Sequence, residues 1–267
     1  MLMSNRVVIL NIFIFFSINL LSQVIDADRT VGKDSTNSRR YNWLIVLNGS
    51  SDQQKKNLVD VGAKSDFTLF LPKDYLVVFA LKADLVTNGK EIIQNAGFFH
   101  LRLRDHDTRI ISLETYTQYQ WNGAIGMVSR YLSGANVRWR IFQDENNDIF
   151  TGFGIMLERE KWDFTAVEPE FVSSNNQAIE ITRPRLNHYL KLSYKISKNA
   201  DMVLANFTQA TPDDLLNPRI SSNLQFNFKI SSWFGFSLNY DSLYDFKPVV
   251  PIRNYYYSLT TGFNFNF

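Results

Sequence analysis

The stretch Asn254–Phe267, NYYYSLTTGFNFNF, decides the fold. Successive side chains of a strand point to opposite sides, so Tyr255, Tyr257, Leu259, Thr261, Phe263, Phe265 and Phe267 share one face, and Asn254, Tyr256, Ser258, Thr260, Gly262, Asn264 and Asn266 share the other. One face is apolar and aromatic; the other is wet. A hairpin-rich soluble protein shows the same period, but a row of exposed aromatics suits a transmembrane barrel, whose strands set one side against lipid and the other into the lumen.

Outward from this strand the chain repeats the pattern. From Tyr41 onward it breaks into twelve alternating segments at about 41–48, 56–70, 75–86, 92–104, 110–121, 125–142, 148–163, 183–196, 201–210, 219–230, 233–245 and 254–267. Pro72-Lys73-Asp74, 105–108, 144–148, 197–200 and Ser231-Ser232 predict tight turns at one end. Gly49–Lys55, Thr165–Thr182, Thr211–Pro218 and Lys247–Arg253 predict longer loops at the other, with the brief link at Asn122–Ala124 as an exception. Short turns beside the termini and longer loops opposite are the asymmetry of outer-membrane barrels. The expected fold is all-β: a transmembrane, antiparallel, up-and-down barrel of about twelve strands, the short first strand leaving ten as the alternative.

Charge placement tests that register, because an Arg or Lys on the lipid face at the bilayer midplane costs roughly 2–4 kcal/mol. His100, Arg102 and Arg104 alternate against Phe99, Leu101 and Leu103; Arg130, Asn136, Arg138 and Arg140 alternate against Tyr131, Val137, Trp139 and Ile141. Asn223, Gln225, Asn227 and Lys229 oppose Leu224, Phe226, Phe228 and Ile230. Charges therefore collect on the predicted inner face. Arg102, Arg104, Arg130, Arg138 and Arg140 are expected to line the lumen with Glu114 and Glu158, where they either close it with ion pairs or leave a narrow anion-preferring path. Twelve strands enclose more room than the eight that side chains just fill.

The N-terminal end carries an address. Arg6 precedes the apolar run Val7–Leu21, which is shorter than the ~20 residues a membrane helix needs and is followed by Ser22 and Gln23, the pattern of a cleaved signal peptide. Residues 1–22 are read as that peptide, 23–40 as a flexible periplasmic lead-in, and 41–267 as the barrel. The outward residues Tyr257, Leu259, Phe263, Phe265 and Phe267 resemble the closing signal by which bacterial outer-membrane proteins are recognised for insertion. The expected location is the outer membrane. Its lipid and lipopolysaccharide are the expected surroundings, with the barrel-insertion machinery as a partner during assembly and a small solute as a further partner.

Composition limits the other classes of function. Cysteine is absent, so neither a disulfide framework nor an N-terminal lipidated cysteine is available. A formal charge of +2, with basic residues scattered along the chain, gives no nucleic-acid footprint. Aromatic residues make up 15% of the chain, with 22 Phe and 12 Tyr, enough to furnish interfacial girdles. No cofactor motif is present. DENND at Asp144–Asp148 lacks the central Gly and distal Glu of a calcium loop and reads as a solvated turn.

Glu114–Arg140, ETYTQYQWNGAIGMVSRYLSGANVRWR, resembles the middle of the family called domain of unknown function 481, the salt-induced outer-membrane proteins. Leu132, Gly134, Ala135, Arg138 and Arg140 fit that family's Leu-x-Gly-Ala-x-x-Arg-x-Arg stretch. Ile220-Ser221-Ser222, Phe228-Lys229-Ile230, Tyr240–Asp245 and Tyr257–Thr260 also fit its pattern. The resemblance spans roughly 42–267 and departs from the family at Leu47–Lys55, where a Gly-rich start is missing. It implies an outer-membrane location and leaves the activity unassigned.

Catalysis is the competing class. Twelve-stranded outer-membrane phospholipases need a Ser activated by an oriented His. Of the three histidines, His106 falls in a predicted turn, His100 shares a face with arginines, and His188 faces lipid among Leu186, Leu190 and Leu192. The phospholipase His-x-Ser-Asn-Gly stretch is missing, since Leu190 stands where that Ser would be. The primary reading is therefore a non-enzymatic barrel with an envelope-structural or passive small-solute role, and a lipid-active barrel enzyme is the alternative. The segment Thr165–Thr182, bearing Glu168 and Glu170, is either a ligand or partner surface or an idle loop.

Overall fold

The computed structural model describes residues 40–53, 57–105, 109–172 and 177–266. The expected signal peptide, nearly all of the lead-in, His106, the tip of the 165–182 segment and Phe267 lie outside these residues. The strands are β1 (Tyr41–Gln53), β2 (Asn57–Leu71), β3 (Tyr75–Asn88), β4 (Glu91–Arg104), β5 (Ile111–Asn122), β6 (Met127–Gln143), β7 (Asn147–Trp162), β8 (Ile179–Ser197), β9 (Ala200–Thr211), β10 (Asp214–Lys229), β11 (Phe234–Asp245) and β12 (Tyr255–Asn266). Each pairs antiparallel with its sequence neighbours, and β1 pairs with β12 to close the barrel. Twelve strands it is, not ten.

Turn chemistry sets the hairpins. Lys73 and Asp74 sit at φ 64° and 60° in the β2–β3 turn, and Gly89 at φ 65° takes the first position of the two-residue β3–β4 turn, Gly89-Lys90. At β6–β7 the Asp144 carboxylate accepts from the backbone N–H of Asn146 (2.8 Å) and Asn147 (2.6 Å) and from the Asn147 amide (2.9 Å). The Asn147 side chain first, and the backbone N–H of Asn146 with it, hold this carboxyl below its ordinary value of 3.8. A depressed carboxyl stabilises the fold above its unfolded value, and that contribution is lost as pH falls through the lower folded value. Carboxyl-detected NMR should therefore give Asp144 a midpoint below 3.8; a midpoint at or above 3.8 would mean the turn does not hold the carboxylate.

Two boundary expectations are corrected. Gly49–Gln53 continues β1 and Asp214–Pro218 begins β10, so the loop predicted at 211–218 shrinks to a link at 212–213 and the one predicted at 49–55 loses its first five residues to the strand. The longer links are concentrated at 163–178 and 246–254. Polar residues there extend hairpins past the apolar band, and a register shift between Asp214 and Arg219 absorbs the irregular start of β10.

Exposure is inverted relative to a soluble protein. Arg130 is 0% exposed while Phe153 is 59% and Ile155 66% exposed. An apolar surface of this extent is stable only against hydrocarbon, and a closed barrel is one of the two backbone forms that satisfies every N–H and C=O there. Aromatic rings bound the band. Trp233, Phe234, Phe263 and Phe265 stack near the end that carries the termini; Tyr240, Tyr244, Tyr255 and Tyr257 group toward the opposite, distal end, with Tyr240 and Tyr255 hydroxyls 2.8 Å apart. The eight residue-to-residue steps along β12 from Tyr257 to Phe265 rise ~26 Å at ~3.3 Å each, or ~20 Å along the normal once the strand tilts by ~40°.

Candidate functional site

The lumen between β4 and β11 is built in three tiers, because inward positions on neighbouring strands fall at matching heights. The distal tier is ionic. Glu158 and Glu160, two residues apart on β7, both point inward and are fully buried. Glu158 Oε1 accepts from Arg130 Nε at 2.6 Å and Arg219 Nη1 at 3.2 Å, and Oε2 accepts from Arg185 and from Arg183 Nε at 3.3 Å. Glu160 accepts from Arg219 Nη1 at 2.7 Å and Arg183 Nη2 at 3.0 Å, with Arg130 Nε at 3.2 Å. Arg219 also donates to Asp245 on β11 at 2.8 Å, and Arg130 reaches Gln209 on β9 at 2.9 Å. Strands β6 to β11 are thereby tied through one charge cluster.

Beneath it lies an apolar tier. Tyr116, Leu132, Met156, Tyr189, Ala205 and Phe207 come from β5 to β9 and pack as one buried cluster, with the Tyr189 and Phe207 rings 5.8 Å apart. Gly152 makes room for it: the Tyr189 ring lies over Gly152, and a Cβ there would overlap the ring. Amides border the tier, Asn187 Nδ2 donating to Asn136 Oδ1 at 3.2 Å and to the Tyr116 hydroxyl at 3.5 Å.

The third tier faces the end that carries the termini. Arg104 Nε donates to Glu114 Oε1 at 2.6 Å, Arg138 approaches the same oxygen at 3.9 Å, and the Tyr189 hydroxyl donates to Glu114 Oε2 at 2.8 Å. Arg138 lies over the Phe150 ring at 3.4 Å from its centroid, with Arg140 at 5.2 Å. Arg102 is buried beside them on β4. His100 Nδ1 bonds the Gln118 amide oxygen at 2.9 Å and its ring stacks with Tyr116, so it belongs to the packed lumen.

Above the distal tier the mouth is capped. Val167 from the 163–178 link, Val250 from the 246–254 link, Ile125, Met127 and Trp162 form a buried cluster, with Phe164, Val172 and Tyr256 against it. Gly126 anchors the cap: it turns at φ 75°, the Asp163 N–H donates to its carbonyl at 2.9 Å, and a Cβ there would press the Asp163 carbonyl oxygen at 2.7 Å. The segment read as a ligand or partner surface or an idle loop thus turns Val167 and Val172 inward and leaves Glu168, Glu170 and Phe171 exposed.

Every predicted lumen residue points inward, although the structure divides them: Arg130 and Glu158 belong to the distal tier, and Arg102, Arg104, Glu114, Arg138 and Arg140 to the third. Glu160, Arg183, Arg185, Arg219 and Asp245 were missed. Each is in phase with an inward neighbour already identified or out of phase with the outward leucines beside it, so the period-two signal was present. Of the predicted insertion-signal residues, Tyr257, Leu259 and Phe263 are exposed on the outer face and Phe265 stacks there with Trp233.

His188 lies on the outer face, its ring 4.4 Å from Phe153 and its Nε2 3.0 Å from Thr151 Oγ1. Thr151 donates its single proton to the Tyr189 carbonyl at 3.0 Å, so the imidazole N–H is the donor to Thr151. A base that activates a hydroxyl needs the opposite polarity. Among the described residues no group of His, Asp and Glu is disposed to hold a metal ion.

No family model matches the chain, and no curated protein matches it. Among solved structures it is similar to the NanC porin, at 10% identity over 83% of this chain and 98% of that one with a TM-score of 0.47. It is also similar to the translocator domain of the autotransporter NalP from Neisseria meningitidis, at 11% identity over 87% and 90% with a TM-score of 0.43. A third similarity is to the toluene transporter TodX of Pseudomonas putida, at 7% identity over 85% and 88% with a TM-score of 0.35. Likeness at this level carries nothing about the function of this chain.

Proposed function

We propose that this chain is a barrel of the outer membrane with an envelope-structural role, its lumen held shut by its own side chains. One observation carries the reading: the buried pair Glu158 and Glu160, shared among Arg130, Arg183, Arg185 and Arg219, roofs a packed apolar tier. Charges matched this way give a hydrated ion little reason to enter, and the apolar tier beneath offers it no ligands. Export through residues 1–22, the short turns placed in the periplasm and membership of the domain of unknown function 481 family complete the proposal. In the stretch that carries that resemblance, Leu132 and Arg138 are among the side chains that fill the lumen.

The test is conductance. The refolded chain in a planar bilayer is expected to give no discrete current steps, and N-terminal sequencing of the protein from the outer-membrane fraction should begin just after residue 22. Regular steps from the unaltered chain would sink the sealed reading in favour of the passive pore. The enzyme alternative is decided separately: fatty-acid release from phospholipid that disappears in His188→Ala would establish it, and the polarity of the Thr151–His188 bond predicts no release by either form.

A further inference from the structure

Neighbouring strands are laddered along most of their shared length except at the closing seam. β1 pairs with β12 only from Leu44 opposite Asn266 to Leu47 opposite Phe263. Yet β1 continues in register with β2 as far as Gln53, and β12 begins in register with β11 at Tyr255. Extending the seam's own register would set Gly49 against Thr261 and Ser50 against Thr260, but among the described residues no such pair forms. A cavity of about 350 Å³ opens on the outer face where the ladder stops, lined by Leu47, Gly49, Phe236, Thr261 and Phe263, with Asn48 and Gly262 from the inward phase. A Cβ built on Gly49 would meet a single atom within 4 Å, the Asp60 carbonyl oxygen at 3.6 Å, so no strand covers its other side.

The gap starts four residues below Tyr257 of the distal girdle, so it cuts the lipid-facing band in its distal half. Its two sides differ in chemistry. Outside, Leu47, Leu259, Phe263 and Val61 face hydrocarbon. Inside, Ser258, Ser237 and Asp241 are buried, with Asn48, Ser50 and Thr260 beside them. Along the gap run the backbone N–H and C=O groups of two strand edges. Each such group left unsatisfied in hydrocarbon costs several kcal/mol. Alkyl chains alone therefore cannot fill the opening; its occupant must bring hydrogen-bonding groups while lying beside lipid tails.

We infer that the β1–β12 seam is a lateral portal that admits the headgroup of a distal-leaflet amphiphile, with its acyl chains left outside against Leu47 and Leu259. Amide, hydroxyl and carboxylate side chains inside the gap suit a headgroup rich in hydroxyl or amine donors. The inference rests on the membrane location proposed above, which makes the distal leaflet the outer one. It also differs in consequence from the sealed lumen, because the portal lies at β1 and β12, which contribute no residue to the three tiers.

The native chain has no cysteine, so single thiols report cleanly. Bimane-labelled Ser50→Cys, Leu259→Cys and Ser112→Cys would be refolded into phosphatidylcholine vesicles containing phosphatidylcholine with a nitroxide on its headgroup. Leu259→Cys, facing lipid, should lose fluorescence; Ser50→Cys, facing inward at the gap, should lose a comparable fraction; Ser112→Cys, buried in the opposite wall, should lose little. Loss at Leu259 without loss at Ser50 overturns the portal, whereas no loss at Leu259 overturns the membrane location itself. Disulfide formation supplies the second measurement: Val46→Cys with Asn264→Cys, inside the ladder, should oxidise readily, and Ser50→Cys with Thr260→Cys should remain reduced. Equal oxidation of both pairs would mean the seam is zipped, and an intermolecular disulfide from Ser50→Cys alone would place a second copy there; either result overturns the inference.

Discussion

Glu158→Ala is expected to destabilise the folded barrel by about 3–5 kcal/mol, the cost of leaving buried cations without their counter-charge. Arg130, Arg185 and Arg219 all bond this carboxylate and are at most 4% exposed, so water reaches them poorly. Glu160 and Asp245 would remain, two carboxylates among four guanidiniums. Glu158→Gln keeps the shape and one acceptor oxygen and should lose less. Arg159→Ala is the comparison: Arg159 lies between the two glutamates in sequence but points outward to an exposed pair with Glu180, and such pairs contribute at most ~1 kcal/mol. Urea titration of the refolded proteins in vesicles, followed by tryptophan fluorescence, measures all three. If Glu158→Ala cost no more than Arg159→Ala, the distal tier would not be holding the barrel together.

Gly152→Val should have the second largest effect, because it strikes two tiers at once. The Tyr189 ring occupies the space a side chain at 152 would take, so the ring must leave, breaking its bond to Glu114 and its packing with Phe207. Overpacking of this kind costs roughly 1–3 kcal/mol. Current steps should then appear in a planar bilayer where the unaltered chain is silent. Gly49→Val adds the same atoms at an open position and should leave stability nearly unchanged. Equal losses in the two variants would show that the volume over Gly152 is not what seats Tyr189.

How much of this was legible before the structure depended on range. Strand phase was readable because it is local: the alternation around Arg102, Arg138 and Ser258 needs only adjacent residues and the price of a charge in lipid. Boundaries failed where that contrast faded. Gly49–Gln53 carries no apolar outward residue, so it read as loop, although β2 ladders it throughout. Pro212 and Pro218 marked a turn at a place where β10 instead starts early and shifts register. Partnership within the lumen was the hardest part to read. Arg130 and Gln209 are 79 residues apart, and Glu158 and Arg219 are 61 apart. Only the order of strands around a closed barrel brings them together, and hydropathy contains no term for that order.

The distal tier also constrains how the chain is assembled. Its carboxylates come from β7 and β11 and its guanidiniums from β6, β8 and β10, so the β7–β8 hairpin carries two of each and the β10–β11 hairpin one of each, and bonds between hairpins join them. A half-formed sheet leaves these ion pairs uncovered on its concave side, and they must stay hydrated until the later hairpins arrive. Stepwise threading through hydrocarbon is therefore uphill for the middle of this chain, and maturation should proceed as a late, concerted curling of a sheet whose hollow side remains wet.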